Sequence, residues 1–281
     1  MFNIGFDPLV SVYLPTYNRL ALLKRAVESV LCQTYKNIEL IVVDDGSDDG
    51  TQEYLEDLSK NDGRVRVFYK SQFDKKKGAP ASRNIAIINA NGRYVTGLDD
   101  DDYFHKDRIR VLMGHVNEGY SCVASNWYRI HGENFSRNSY LKRVVSYKDL
   151  FYGNFLGTQV LVERSKLMEA GLFDEELRAS QDLDMWIRLT KLHGDALRLR
   201  SPLYYMDVSH QEKRISASDA RAVGTYQFIN KYKGEMSHGQ IVYKQDSMGD
   251  KPKSRFEKVL SIKDYGLKIV VNIVRSKLKI I

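Results

Sequence analysis

The sequence predicts an α/β protein with a doubly wound sheet, and three observations lead to this fold class. Strand patterns alternate with helix patterns along the first hundred residues, as expected when each strand is followed by a crossover helix. Residues 38–43 are apolar almost throughout, which is typical of a buried parallel strand. Polar residues follow the main strands, and the carboxyl ends of parallel strands are where such sheets bind ligands.

The individual elements follow from hydrophobic periodicity. Strands are predicted at residues 9–14, 38–43, 65–69 and 94–98, and helices at 20–31, 51–58 and 81–89. A less regular α+β half follows, with a helix at 106–114, a strand at 122–128, a polar hairpin-like stretch through Asn138 and a strand at 159–162. A last helix begins near Ala179, with apolar residues spaced to pack inward at Leu183, Trp186, Ile187 and Leu189.

Composition limits the class of partner. The chain has 281 residues, 43% hydrophobic and 28% charged, which is enough to bury a substantial core. Its net charge of +7 is concentrated in residues 251–281, which hold nine of the 43 basic residues and only two of the 36 acidic ones. The remaining body is neutral, so we expect no nucleic acid partner.

Cysteine usage and hydropathy indicate the compartment. Cys32 and Cys122 each lie in an apolar stretch without metal-site spacing, so we expect two buried free thiols in a reducing environment. No basic segment followed by an apolar stretch precedes Pro8, and no apolar run approaches the roughly 18 residues that cross a bilayer. These features predict a cytoplasmic protein.

Four consecutive carboxylates, Asp99 to Asp102, follow the strand at 94–98. Charges this close repel each other, and partial burial at a strand end would add a desolvation cost, so a counter-charge is expected. A divalent cation supplies that charge best. The alternative is a solvated acidic turn that caps a helix starting near His105.

The chain contains neither GxGxxG nor a P-loop, so a bound nucleotide would need its phosphates neutralised by metal and basic side chains. Arg19, Arg83 and the lysines at 75–77 are placed for this role, although Arg83 alone is equally compatible with a surface helix position. Asp182, at the start of the last helix, is either a catalytic carboxylate or an N-cap. Asp184 is predicted to be a first-turn partner of the helix dipole.

Six ordered motifs carry a resemblance to a known family. They are VSVYLPTYN at 10–18, VVDDGS at 42–47, ASRN before GRY at 81–94, LDDDD at 98–102, GLFD at 171–174 and QD at 181–182. The chain resembles the family 2 glycosyltransferases over about residues 9–216, and especially transferases of bacterial O-antigen and colanic acid exopolysaccharides. The resemblance implies a GT-A fold, a Rossmann-like doubly wound mixed sheet with helices on both faces.

The resemblance also implies an activity. A hexose, with glucose or galactose favoured, would pass from a UDP-sugar to a polyprenyl-diphosphate-linked saccharide by direct displacement that inverts the anomeric centre to a β-linkage. Asp182 would be the general base, and Asp101 with Asp99 would hold Mn²⁺ or Mg²⁺, with His210 as a further candidate ligand. The donor site would comprise Pro15, Thr16, Tyr17, Arg19, Asp44, Asp45, Arg83, Asp99 and Asp100.

Family members often have Glu before the base, and Gln181 here removes a charge that could raise its pKa. Two rival functions remain at this stage: a nucleotide-sugar-binding protein without transferase activity, and a metal-dependent nucleotidyltransferase.

We expect a donor-binding half at 1–104, an acceptor and catalytic half of the same domain at 105–216, and a helical extension at 217–281. The basic amphipathic pattern of that extension predicts binding to the anionic inner face of the cytoplasmic membrane.

Overall fold

The computed structural model describes residues 7–73, 78–138, 143–209 and 219–246, and every structural statement concerns these residues. Within them the chain forms two compact units. The described residues of the larger unit fall within Met1–Leu150, Asn154–Glu175 and Gln181–Gln211, and those of the smaller unit fall within Phe151–Gly153, Glu176–Ser180 and Glu212–Ile281. All the candidate site residues described below belong to the larger unit.

The first half of the larger unit alternates strands with helices. Its elements are β1 (Val10–Thr16), α1 (Leu20–Leu31), β2 (Ile38–Asp44), α2 (Thr51–Asn61), β3 (Val65–Tyr69), α3 (Ala79–Ile88) and β4 (Tyr94–Gly97). The four strands pair in parallel in the order β3-β2-β1-β4. Every residue of β1, β2 and β4 is buried, which explains their nearly continuous apolar sequences.

The second half adds shorter and mixed elements. They are β5 (Tyr103–Phe104), α4 (Arg108–Met113), β6 (Cys122–His131), β7 (Asn134–Arg137), β8 (Val144–Val145), α5 (Tyr147–Leu150), β9 (Leu161–Glu163), α6 (Arg164–Glu169), α7 (Gln181–His193) and β10 (Ala196–Asp207). Strand β9 runs antiparallel to both β4 and β6 and so joins the two halves into one mixed sheet. The predicted fold class is confirmed.

Several strands of the second half differ from the sequence prediction, which included neither β5 nor β8. β10 was not predicted because Arg198 and Pro202 interrupt its apolar pattern, yet Arg198 is buried and the register shifts at Pro202. β10 pairs with β6 in parallel and with β5 antiparallel. Residues 103–104 therefore belong to a strand, and α4 begins at Arg108, two residues after the predicted start at 106. The predicted strand at 159–162 is observed at Leu161–Glu163.

The prediction of two buried thiols is half correct. Cys122 is buried in β6, but Cys32 is exposed. Cys32 is the C-cap residue that follows Leu31, the last residue of α1, so its apolar sequence neighbours did not determine its burial.

In the smaller unit, α8 (Asp219–Tyr232) and α9 (His238–Asp246) are the described part of the region predicted to be helical. The rings of Phe151 and Tyr232 pack with their centroids 5.5 Å apart. No helix in the described ranges is both long enough and apolar enough to span a membrane. The basic segment at 251–281 lies outside the described residues.

Gly97 ends β4 at a point of very close packing. A Cβ atom there would lie 2.0 Å from Gln159 Oε1 and 2.2 Å from Tyr13 Cε2, distances that require both side chains to move. We expect Gly97→Ala to lower the free energy of unfolding by about 1–3 kcal/mol, measured by denaturant titration. Gly63→Ala is the matched control, because nothing lies within 4 Å of its added Cβ. Equal stability of the two variants would contradict this account of Gly97.

Candidate active site

The polar ends of three parallel strands meet at one edge of the sheet, as the sequence predicted. Thr16 at the end of β1 is in register with Asp44 at the end of β2. The backbone N–H of Asp45 donates to the carbonyl of Thr16 at 2.9 Å, and the N–H of Leu98 donates to the carbonyl of Tyr13 at 3.0 Å. The turn after Thr16, the turn after Asp44 and the acidic turn after β4 are therefore neighbours.

Two of the four aspartates point into the protein. Asp100, 7% exposed, accepts a hydrogen bond from Thr16 Oγ1 at 2.9 Å. Asp102, 3% exposed, accepts bonds from the Tyr204 hydroxyl at 2.7 Å and the Asp207 backbone N–H at 2.9 Å. Burial raises the pKa of Asp100 to about 6 and raises the pKa of Asp102 well above its usual range. The alternative of a solvated acidic turn is wrong.

The other two aspartates face arginines. Asp99 forms an ion pair with Arg83 at 2.8 Å, and Asp101 forms one with Arg19 at 3.3 Å. Arg19 also pairs with Asp100 at 3.0 Å. Among the residues that the structure describes, arginines thus supply the positive charge that the sequence analysis expected chiefly from a metal. Arg83 is half-buried and bound to Asp99, so its assignment as a simple surface residue is wrong.

The Asp44 turn is held by its own carboxylate. Asp44 is fully buried and accepts hydrogen bonds from the backbone N–H groups of Gly46 and Ser47. Asp45 pairs with Lys70 Nζ at 2.9 Å and accepts from the Gly78 N–H at 2.7 Å. The Asp44 side chain therefore supports the site through contacts within the protein, as do the side chains of Thr16 and Asp100. Direct contact with the nucleotide was expected from all three.

Of the remaining predicted site residues, the structure describes Tyr17 and Pro15. Tyr17 is 50% exposed and precedes Asn18, which adopts a positive φ of 49°. Pro15 is a buried residue of β1. His210 and the lysines at 75–77 lie outside the described residues.

Asp182 is brought to the same region from a distant part of the chain. One carboxylate oxygen accepts a hydrogen bond from Asn154 Nδ2 at 2.7 Å, and the other accepts from the Leu183 N–H at 2.8 Å. Burial raises the pKa of Asp182, the Arg83 charge opposes this, and the Asp99 charge adds to it. Gln181 has no charge with which to raise the pKa of Asp182, and burial raises it instead.

The first turn of α7 distinguishes the two carboxylates predicted there. Asp182 does not make the bond of an N-cap, which would accept an N–H two or three residues further on. Asp184 lies in the first turn of α7, as predicted, and its fully buried side chain also pairs with Arg188 at 2.8 Å. The predicted inward-facing residues of α7 are all buried: Leu183, Trp186, Ile187 and Leu189.

Sequence reasoning missed Gln159 and Tyr13. The Tyr13 hydroxyl donates to Gln159 Oε1 at 2.9 Å, and Gln159 Nε2 donates to Asp99 at 3.1 Å. Burial raises the pKa of Tyr13, which keeps its hydroxyl protonated as a donor. In the sequence these two residues are only a hydroxyl and an amide within two predicted strands. No short motif marks them as site residues.

Arg25 was also missed. Its guanidinium donates to the backbone carbonyl of Asp101 at 2.6 Å, pairs with Asp207 at 2.6 Å and lies 4.7 Å from the Tyr103 ring centroid. It therefore fastens the acidic turn from the side of α1. Its position within an otherwise amphipathic helix pattern gave no sign of this contact.

Comparison with known proteins identifies the family. Residues 11–175, more than half of the chain, match the family profile of Glycosyl transferase family 2. The chain is a member of family 2. In Escherichia coli strain K12, the protein named as a colanic acid biosynthesis glycosyl transferase, WcaA, is 34% identical over 245 residues, covering 84% of this chain and 86% of its own length.

Two further comparisons are informative. The Campylobacter jejuni GalNAc(5)-diNAcBac-PP-undecaprenol beta-1,3-glucosyltransferase is 33% identical, over 66% of this chain and 60% of its own length. The crystal structure of Staphylococcus aureus TarS 1–349 in complex with UDP-GlcNAc has a TM-score of 0.66 and 18% identity, covering 85% of this chain and 72% of that one. The TarS similarity shows a shared fold.

Many family 2 glycosyltransferases use a divalent cation. Among the residues that the structure describes, no group of three or more His, Cys, Asp and Glu side chains is arranged to hold a metal. Asp99 still provides a partly exposed carboxylate, and Asp101, two positions further on, provides a second one whose side chain is 12% exposed. Mg²⁺ in particular often takes only one or two protein carboxylates and completes its shell with substrate phosphates and water. These residues therefore fit a cation that arrives with a diphosphate.

Proposed function

We propose that this chain is an inverting glycosyltransferase that transfers a hexose from a UDP-sugar to a lipid-diphosphate-linked saccharide in bacterial polysaccharide synthesis. The observation that carries this proposal is the convergence of Asp182 with Arg83 and Asp99 beside the ends of three parallel strands. The UDP-GlcNAc complex of TarS supports a UDP-sugar donor. We favour UDP-glucose or UDP-galactose, and the name of the Campylobacter glucosyltransferase supports glucose. The name of the Campylobacter relative supports a polyprenyl-diphosphate-linked acceptor.

The donor would bind along the sheet edge. Tyr17, Asp45 and Asp99 would contact the nucleoside and sugar, and Arg19 and Arg83 would contact the diphosphate with charge-assisted hydrogen bonds. Asp101, with Asp99, would hold Mn²⁺ or Mg²⁺, which when bound neutralises the leaving diphosphate.

The reaction would be a single displacement. The acceptor hydroxyl oxygen forms a bond to the anomeric carbon while the bond to the UDP oxygen breaks on the opposite face. Asp182 accepts the hydroxyl proton, a role that suits a carboxylate whose pKa is raised toward the working pH. Inversion converts an α-linked donor into a β-linked product.

A donor panel tests the function. The full chain would be incubated with Mn²⁺, a synthetic polyprenyl-diphosphate-linked monosaccharide and either UDP-glucose, UDP-galactose, UDP-GlcNAc or GDP-mannose. We expect UDP release coupled to a larger lipid-linked product. Turnover with GDP-mannose but with none of the UDP-sugars would contradict the choice of nucleotide. Nucleotide release without a new glycosidic bond would contradict the proposed transferase activity.

We propose the division at 1–104, 105–216 and 217–281 as the functional organisation, with the last segment holding the enzyme at the inner face of the cytoplasmic membrane. This rests on the basic amphipathic sequence of 251–281 alone. The full chain carrying Lys→Gln at Lys268, Lys277 and Lys279 should bind anionic vesicles about a hundredfold more weakly, since each basic residue contributes about 1 kcal/mol near such a surface.

Co-sedimentation at two salt concentrations would measure this binding. The control carries the same substitutions at exposed body positions, namely Lys36, Lys60 and Lys106. If both variants sediment like the unmodified chain, the tail does not bind the membrane through charge.

A further inference from the structure

The segment 154–159, which leads into β9, carries an amide side chain at each end. Asn154 contacts Asp182, and Gln159 contacts Asp99. Asp99 and Asp182 are more than eighty residues apart in the sequence. Their relative positions therefore depend on tertiary contacts such as these.

The amide of Asn154 has a defined orientation. Its Oδ1 accepts a hydrogen bond from the Leu156 N–H at 3.3 Å, which leaves Nδ2 to donate to Asp182 at 2.7 Å. A donor aimed at a carboxylate favours the ionised form that a base needs. Arg83, Asp99 and Tyr13 are the other charged or titratable groups that act on Asp182.

The amide of Gln159 is likewise fixed, and it is only 3% exposed. Its Oε1 accepts from the Tyr13 hydroxyl at 2.9 Å, so Nε2 must face outward to Asp99, 3.1 Å away. Gln159 and Arg83 donate to the same oxygen of Asp99, and no described residue donates to the second oxygen.

The backbone between the two amides is anchored by buried side chains. Trp186 Nε1 donates to the Gly157 carbonyl at 3.0 Å, Arg198 to the Phe155 carbonyl at 2.9 Å and Arg108 to the Gln159 carbonyl at 3.1 Å. All three donors are at most 1% exposed. Gly157 adopts a φ of +81°, and a Cβ there would lie 3.2 Å from the Trp127 ring, so the backbone approaches closer than other residues allow.

From this geometry we propose that the 154–159 segment is a positioning element that sets the base against the donor site, with Asn154 orienting Asp182 and Gln159 orienting Asp99. The proposal rests on the proposed transferase function. Asn154 and Gln159 act through the carboxylates that they hold, so their two effects on the kinetics should be separable.

Asn154→Asp tests the first half, because it keeps the side-chain shape and places a second carboxylate against Asp182. Like charges raise each other's pKa, so the acidic limb of the kcat–pH profile should move to higher pH. We expect kcat at neutral pH to fall at least tenfold, while KM for the donor stays within about twofold. Asn154→Ala should lower kcat about tenfold without the same displacement of the limb.

Gln159→Glu tests the second half, because it retains an acceptor for Tyr13 but places a negative charge beside Asp99. We expect KM for the donor to rise about tenfold with kcat little changed. Calorimetric titration with UDP, with and without Mn²⁺, gives a readout independent of turnover and should show a similar loss of affinity.

Asn134→Asp makes the same chemical change at an exposed position of β7 and should behave like the unmodified chain. Thermal melting of each variant checks that the fold is retained. If Asn154→Asp and Gln159→Glu both lower kcat in parallel with Tm and leave the pH profile and donor KM unmoved, the segment is only structural. An unmodified chain that neither binds UDP nor transfers sugar would overturn the proposed function, whereas an active chain with unaltered variants would overturn this inference alone.

Discussion

Asp182→Asn should lower the turnover number by about a hundredfold to ten-thousandfold, the range typical of losing a general base. The asparagine side chain has the same shape and can still contact Asn154, but it cannot accept the acceptor's proton. The affinity for the UDP-sugar should hardly change, because no donor contact is assigned to this carboxylate. Initial rates on the lipid-linked acceptor and calorimetric donor binding together measure the two quantities.

Asp195→Asn is the matched control for this variant, since it removes the same charge at an exposed position just beyond α7. It should keep the turnover and donor affinity of the unmodified chain. A nearly normal turnover number for Asp182→Asn would reduce Asp182 to a structural residue at the start of α7.

Chelation of divalent cations with EDTA should abolish transfer, and added Mn²⁺ or Mg²⁺ should restore it. Asp101→Asn should lower turnover at least about a thousandfold under metal-replete conditions, because a ligand that neutralises the leaving diphosphate is lost. The protein should nevertheless remain folded: Asp101 repels both Asp100 and Asp102, so removing its charge offsets the lost ion pair with Arg19.

Asp48→Asn supplies the comparison, because it removes an exposed carboxylate that contributes only its backbone N–H to the contacts described. Thermal melting in EDTA separates loss of fold from loss of function. Undiminished transfer by a rigorously metal-free preparation would refute the metal assignment even if Asp101→Asn were inactive.

The parts of the protein that sequence predicts well are those determined by local pattern. The strands β1, β2, β3 and β4 have short apolar sequences ended by polar turns, and parallel pairing then forces those turns to one edge. The helix positions of Leu183, Trp186 and Ile187 follow from a repeat of three to four residues. Such features need no knowledge of distant partners.

The missing parts depend on contacts between distant residues. Asp44 is an exception, because its carboxylate accepts from N–H groups only two and three residues later, a local turn that the nucleotide-binding interpretation overlooked. Cys32 has apolar neighbours but caps the end of α1, and its exposure depends on which side of the helix end its side chain lies. Gln159 and Arg25 are ordinary in sequence, and only the folded sheet brings them to Asp99 and Asp101.

The bonds between Asp102 and β10 have a consequence for how the protein is made. The acidic turn is fastened by Tyr204 and Asp207, which follow Asp102 by 102 and 105 residues. Contacts between residues this far apart in sequence form late, because a long loop must close first. A growing chain on the ribosome that has not yet released Asp207 therefore carries four neighbouring aspartates without this support. The sheet edge that we propose binds the donor, although encoded almost entirely in the first hundred residues, is completed only when synthesis is about three-quarters done.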